Sequence, residues 1–320
     1  MKREKFVKST MMLAYSIVTV QHSENNLKLF EKGIMGQVMF SLTVTPSKVT
    51  EFYGTFITIS EVWLNDKKVI GFNKQTIELS AYQEGDIKLL FNGKIETGVY
   101  NSITVVFDHE TDDSGDFPGS YILDENNNKI CLEVQKKRSE VKFIKEIEVQ
   151  SESVSEIVIN TDLRKLIENN PNNREHENYR FNTGVDMANS FRISLKDECA
   201  EIKGEVDKSF NELYDMYVLA YKKGEFNYSL ESKTRGQNSI PFANAVSSSK
   251  VKSYGGYQLS LLEKGEYEIH IVAFSKVGGN MFKFKGMINS TSNIPGLLLN
   301  NISVPAKSQI QLNIDIIGVI

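Results

Sequence analysis

The feature that most limits what this chain can fold into is a side-chain period of two, which starts at Val38 and recurs almost to the end. Val38, Phe40, Leu42 and Val44 alternate with Met39, Ser41 and Thr43. The pattern returns in Phe56–Leu64, Ile77–Leu79, Ile103–Phe107, Ser120–Leu123, Ile130–Val134, Val141–Ile147 and Val154–Ile159. Successive side chains of an extended backbone leave opposite faces, so such runs bury one face and wet the other. Asn92-Gly93, Gly98 and the polar run Asp124–Lys129 read as turns between them. A second series follows a polar boundary at Asp197–Glu201: Ile202–Val206, Tyr217–Tyr221, Gly256–Leu261, Tyr267–Val272 and Ile310–Ile316, with Leu262-Glu263-Lys264-Gly265 as a turn. The expected fold class is all-β, two tandem β-sandwich domains of Ig-like or transthyretin-like type. The first is expected to carry one short helix, capped at Asn160 or Thr161, with Leu163, Leu166 and Ile167 on one face and Pro171 past its end.

A length of 320 residues accommodates this division: 1–33 as a signal-like segment and tether, 34–198 as the first sandwich and 199–320 as the second. Lys2, Arg3, Lys5 and Lys8 precede the mostly apolar run Met11–Val20, then polar Gln21–Asn26. That order reads as a secretory signal, with an amphipathic first helix or a strand as the alternative. The region resembles the start of bacterial envelope lipoproteins, but no Cys stands near Gln21 or His22 to take a lipid. No run is long and apolar enough for a transmembrane helix. A net charge of −4 without a basic cluster argues against nucleic acid as a partner. Two cysteines, Cys131 and Cys199, are too few for a disulfide framework or a zinc site, and whether they pair is left open.

Catalytic signals are weak. The four histidines have no metal-ligand spacing, and neither a Gly-x-Ser-x-Gly elbow nor a Gly-rich phosphate loop occurs. The strongest ionic candidate is the loop after Phe107, in which Asp108, Glu110, Asp112, Asp113 and Asp116 supply carboxylates of the kind that chelate Ca²⁺; solvated acidic loop is the alternative. Calcium is the sole cofactor candidate. Tyr53, Trp63, Tyr121, Tyr254 and Tyr257 are candidates for an aromatic ligand platform, against the alternative that they fill the sandwich cores.

The first half resembles the bacterial envelope family called domain of unknown function 4382. The likeness runs over roughly residues 34–195 and is carried by Phe40–Pro46, Phe56–Leu64, Gly98-Val99-Tyr100-Asn101-Ser102-Ile103, Ile157–Leu166 and Tyr179-Arg180-Phe181. The chain departs from the family's frequent Asp before Ala-Pro in the opening turn, having Val44-Thr45-Pro46 instead. The second half resembles the carboxypeptidase-regulatory-like, transthyretin-like sandwich through Ile202-x-Gly204-x-Val206, Val218-x-Ala220, Gly256-Tyr257-x-Leu259 and Leu262-x-x-Gly265-x-Tyr267. That resemblance implies a stalk, spacer or low-affinity binding module. Some relatives form Lys–Asn crosslinks, for which Lys203 and Asn313 would be the pair.

The reading that joins these observations is a non-enzymatic protein of the bacterial periplasm, cell surface or exterior. It acts as a ligand-binding or adhesion module whose partner is a surface glycan or another envelope protein. A structural, fimbria-like subunit assembling through an edge strand is the alternative, and an enzyme a distant third.

Overall fold

The structure is a computed structural model and describes residues 33–45, 54–83, 85–124, 126–169, 179–182, 184–207, 214–232, 241–276 and 282–319. The signal-like run Lys2–Val20 and Tyr53 lie outside the described residues. The all-β class holds. Strand Met35–Thr45 pairs in parallel with Val154–Asp162 and antiparallel with Lys88–Glu96, and Phe191–Leu195 completes a four-stranded sheet. Opposite it lies a seven-stranded sheet centred on Gly54–Leu64, Gly98–Asp108 and Arg138–Val149. The alternating residues Val38, Phe40 and Leu42 meet Ile57, Ile59, Ile103 and Val105 in the first core.

The second half repeats the scheme with different strands. Gly256–Glu263, Cys199–Glu205 and Gln309–Gln311 form a three-stranded sheet. Asp215–Lys222, Gly265–Lys276, Phe282–Ser292 and Ile314–Val319 form the body of a six-stranded one. Between them sit Ile202, Val218, Leu259, Ile271 and Leu312. The outer face of the larger sheet is also covered: Tyr217, Tyr221, Val272 and Phe274 pack with Phe242 beneath a cap containing the one-turn helix Tyr228–Glu231. That cap is pinned by buried Glu231, which accepts from the Tyr221 hydroxyl at 2.9 Å and from the backbone and side-chain N–H groups of Asn244.

Met35–Ile320 forms one compact unit although its two main apolar cores are distinct. Val158, on the outer face of the four-stranded sheet, packs with Cys199 and Leu261 in a small separate cluster. Lys145 reaches both Glu198 at 3.0 Å and Glu263 at 3.2 Å. These carboxylates are half exposed, so the ion pairs orient the contact and add little energy.

Two local expectations are corrected. Asn92-Gly93 is not a turn but the middle of strand Lys88–Glu96, opposite Met39 and Val38. A Cβ at Gly93 would lie 2.4 Å from the Phe91 ring, so glycine is there to let that ring fold over the backbone. The expected helix shrinks to Leu163–Leu166, because Asn160, Thr161 and Asp162 extend the preceding strand, paired with Thr43, Val44 and Thr45. A second short helix, Gly184–Asn189, was not anticipated.

Main-chain proximity sets the tightest packing constraint in the second sandwich. A Cβ at Gly204 would stand 1.9 Å from the Leu312 carbonyl oxygen, whereas one at Gly318 meets nothing within 4 Å. Gly204→Ala is expected to lower unfolding free energy by about 2–3 kcal/mol, since backbone has to move to admit the methyl. Gly318→Ala is expected to stay within about 0.5 kcal/mol of the parent. Urea titration of both variants checks this, and equal midpoints would remove the steric argument.

Candidate functional site

Strand ends converge at one end of the second sandwich. Cys199–Glu205 delivers Glu205, followed by Val206 and Asp207; Phe282–Ser292 leads into Asn293; and Asn313 precedes Ile314–Val319. The Glu205 N–H donates to the Asn313 side-chain oxygen at 3.0 Å, the Asp207 N–H to the Ile314 carbonyl at 3.0 Å, and the Asn293 N–H to the Asn313 carbonyl at 3.1 Å. Asn313 thus ties these segments together with its oxygens, the side-chain one also accepting from the Gln311 amide at 3.2 Å.

The fourth wall is the turn Lys252–Gly255. The Gly255 N–H donates to Lys252, and the Gly255 carbonyl accepts from Val206. Gly255 has φ of 97°, and a Cβ there would lie 2.6 Å from the Val206 carbonyl oxygen, so this turn admits only glycine. Beside it, Tyr254 lays its ring against Gly256: a Cβ at Gly256 would be 2.2 Å from the ring. The residue nevertheless remains 61% exposed. One face of the aromatic ring is therefore backed by main chain while the side chain stands open to solvent. Tyr254, Glu205, Asp207, Asn293, Asn313 and Asp315 line a depression of about 320 Å³. It offers a flat apolar surface, carboxylate acceptors and carboxamide donors within one cavity.

The other aromatic candidates do not join Tyr254. Tyr257 is 4% exposed and donates its hydroxyl to the Leu312 carbonyl at 2.6 Å; burial pushes its phenol pKa upward. Tyr121 is buried and stacked on Phe56 at 4.6 Å, with the Lys129 ammonium 4.6 Å from its ring centre. Both are core residues, which corrects their assignment to an exposed platform. Trp63 donates its indole N–H to Glu61 at 2.9 Å and lines a separate depression on the first sandwich with Asp66, Thr104 and Lys142.

In the acidic loop the carboxylates have local partners. Asp108 accepts from the N–H groups of Glu110 at 3.0 Å and Thr111 at 3.2 Å and pairs with Lys74 at 2.8 Å. Asp112 accepts from the N–H groups of Ser114 and Asp116 and pairs with Lys129; Glu110 pairs with Lys137. Partial burial opposes ionisation of Asp108 and Asp112. The lysine ammonium groups and backbone N–H donors outweigh that cost and hold both carboxyls below their ordinary range. Asp113 and Asp116 are exposed. Among the described residues no group of three His, Cys, Asp or Glu side chains is placed to hold a metal ion. Lys203 pairs with Glu201, while the Asn313 side-chain oxygen accepts from Glu205, so the two crosslink candidates have separate partners.

Sequence reading missed Glu205, Asp207, Asn293 and Asp315, and took Asn313 only as a crosslink candidate, because these residues come from three separate places in the chain. The available signal was Tyr254-Gly255-Gly256, an aromatic followed by two residues without side chains at a strand entry.

His109 anchors the acidic loop to the first sandwich. Its ring nitrogens contact the Ser120 hydroxyl at 2.8 Å and the Ser139 hydroxyl at 2.6 Å, and Phe181 covers it at 4.7 Å. Burial lowers its pKa from 6.5 to about 4, against a smaller opposing pull from Asp108. Between these values the unfolded chain binds the proton that the folded chain refuses, so stability is lost as pH falls from about 6.5 towards 4. The loss attributable to this group is on the order of 3 kcal/mol. Denaturant midpoints followed from pH 7.5 to 4.5 should show a slope that is shallower in His109→Gln. Superimposable slopes would assign the acid sensitivity elsewhere.

Residues 35–182 match the model of a family described as a domain of unknown function, DUF4382. No curated protein matches the chain. Among solved structures, the chain is similar to a streptococcal ancillary pilin at 10% identity, with 88% of this chain and 68% of that one covered and a TM-score of 0.20. A minor pilin of Streptococcus agalactiae aligns at 8% identity, with 89% and 97% covered and a TM-score of 0.21. A fimbrial anchor protein of Porphyromonas gingivalis aligns at 10% identity, with 87% and 90% covered and a TM-score of 0.21. TM-scores near 0.2 do not establish a common overall fold. Residues 35–182, which carry the family match, take in most of the first sandwich, while the Tyr254 depression lies beyond them in the second.

Proposed function

We propose that this chain is a non-catalytic module of the bacterial envelope or cell surface that binds carbohydrate at the Tyr254 end of its second sandwich. The observation that carries the reading is the Tyr254 ring, backed by Gly256 and open to solvent beside carboxylates and carboxamides. A sugar presents an apolar C–H face and a rim of hydroxyls. A fixed aromatic ring receives the first at low entropic cost, while Asp, Glu and Asn side chains accept from and donate to the second. In this reading the second sandwich is the transthyretin-like module suggested by its sequence, and it presents the site at its tip on rigid strand ends.

A second reading is favoured by one specific edge. Strand Ile314–Val319 closes the six-stranded sheet; past Ile314, which bridges Val206, and the charged Asp315, it exposes Ile317. Charged side chains and prolines ordinarily blunt such edges, and Ile316–Val319 has neither. Assembly by strand addition there would make the chain a structural subunit.

A glycan array probed with the folded chain, with and without Ca²⁺, tests the first reading. Saturable binding is expected, weakened about tenfold by Tyr254→Ala with an unchanged thermal midpoint. The Ca²⁺ arm tests the proposal that the 108–116 loop holds that ion: a dependence abolished by Asp113→Asn with Asp116→Asn would support it. Wild-type and Tyr254→Ala proteins that behave alike on every glycan would eliminate the Tyr254 site. Concentration-dependent self-association abolished by Ile317→Lys would then support the structural subunit.

A further inference from the structure

The six-stranded sheet of the second sandwich splits. Strands Gly265–Lys276 and Phe282–Ser292 pair only as far as Ile271 and Ile288. Beyond that point Gly265–Lys276 takes a new neighbour on the same edge: Ile269 donates its N–H to the Leu299 carbonyl at 2.7 Å, and Gly265–Tyr267 pair with Ile302–Val304. Phe282–Ser292 meanwhile continues beside Ile314–Val319 alone, across a register shift in which Ile317 is the extra residue opposite the Asn289–Ser290 step. A bulge bends the strand that carries it, and Phe282–Ser292 carries its own at Lys285, the extra residue opposite the Ala273–Phe274 step. Among the described residues, Asn289–Thr291 therefore have a strand on one flank and none on the other.

The open flank borders a cavity of about 570 Å³, larger than the Tyr254 depression. Its lining mixes Ile288, from the core side of the sheet, with Met287 and His270 from the outer side, so the opening runs into the sheet between strands. The outer rim is aromatic and held in place. Glu268, itself buried, accepts from the N–H groups of Phe226 at 2.9 Å and Gly224 at 3.1 Å. Phe226 stacks on His270 at 3.8 Å. Tyr228 and Leu298, 50% and 64% exposed, complete the mouth.

We propose that this slot is a binding site for an extended peptide strand bearing apolar side chains, which pairs with the main chain of Asn289–Thr291 and seats a side chain against the Phe226–His270 stack. Two features select that occupant. A strand flank without a partner presents N–H and C=O groups at the spacing of another strand, which an aliphatic or aromatic small molecule does not satisfy. The apolar rim supplies the alternate-residue pocket that strand addition uses for specificity. The cavity lies within the size range of ordinary ligand sites. The inference stands apart from the carbohydrate reading, because it uses none of the Tyr254 site residues.

Panning a phage-displayed random nonapeptide library on the folded full chain tests it, followed by synthesis of the strongest peptide. The expected result is enrichment of sequences with apolar residues at alternate positions. N-methylation of alternate amides in the synthetic peptide should weaken binding about tenfold, while methylation of the intervening amides changes it little. Amides within Asn289–Thr291 should gain hydrogen-exchange protection on binding. Leu298→Asp and Tyr228→Ala, both at exposed positions, should lower affinity with folding intact, and Tyr254→Ala should leave it unchanged. The proposal is overturned if no alternating apolar sequence is enriched, if N-methylation is without effect, or if Leu298→Asp binds the peptide as the parent does. Saturation of the slot by a simple alkyl detergent in preference to the peptide would overturn it as well.

Discussion

The structure depends first on a sheet that is buried on both faces. Strands Met35–Thr45 and Val154–Asp162 send Val38, Phe40, Leu42, Ile157 and Ile159 into the first core. Their other face carries Ser41, Thr43, Val158 and Asn160, also buried. Small and polar side chains on that second face make hydrogen bonds instead of a second large core: Thr43 donates to the Asp86 carbonyl at 2.8 Å and Thr45 to the Asn160 side-chain oxygen at 3.1 Å. Val158 is the apolar exception, and it meets Cys199 and Leu261 of the second sandwich. A sheet with one wet face would leave the two sandwiches as beads on a string. The doubly buried sheet joins them, and a polar substitution at Val158 would act on the junction, leaving each core its own apolar contacts.

This explains which parts of the fold were legible in the sequence. Period two identified Phe56–Leu64, Ile103–Phe107 and Tyr267–Val272, each of which lies inside a longer strand that buries one face: Gly54–Leu64, Gly98–Asp108 and Gly265–Lys276. It failed where a second constraint overrode the pattern. At Asn92-Gly93 the turn-like dipeptide sits within a strand because the Phe91 ring occupies the space of a side chain. At Asn160–Asp162 the cap-like residues remain extended because a parallel neighbour pairs with each of them. The strand Phe282–Ser292 was not recognised at all. Its alternation is broken by Gly286 and by Lys285, the extra residue opposite the Ala273–Phe274 step.

The sites were less legible for a related reason. A core strand writes its role into consecutive residues, whereas the Tyr254 depression collects single residues from strand ends that are far apart in sequence. Tyr254 was recognisable as a candidate aromatic, yet nothing in one dimension separated it from Tyr257, three residues away. The structure separates them by hydrogen bonding and exposure: Tyr257 spends its hydroxyl inside on Leu312, and Tyr254 lies across Gly256 facing out. The acidic loop was conspicuous by composition, but its Asp108 and Asp112 carboxylates are engaged by lysines and loop N–H groups, a role that spacing alone does not distinguish from ion chelation.

The course of strand Phe282–Ser292 connects both candidate sites. If strand Phe282–Ser292 continued flat beside Gly265–Lys276, Asn289–Thr291 would be paired on both flanks and the larger cavity would close. The same straight course would withhold Ser292 from its pairing with Ile314, and so remove Asn293 from the hydrogen bond to Asn313 that builds the Tyr254 depression. The departure of one strand from one neighbour therefore opens a slot on its flank and delivers a side chain to the sandwich tip. A uniform sandwich with every strand fully paired would be easier to read from its sequence, and it would have neither opening.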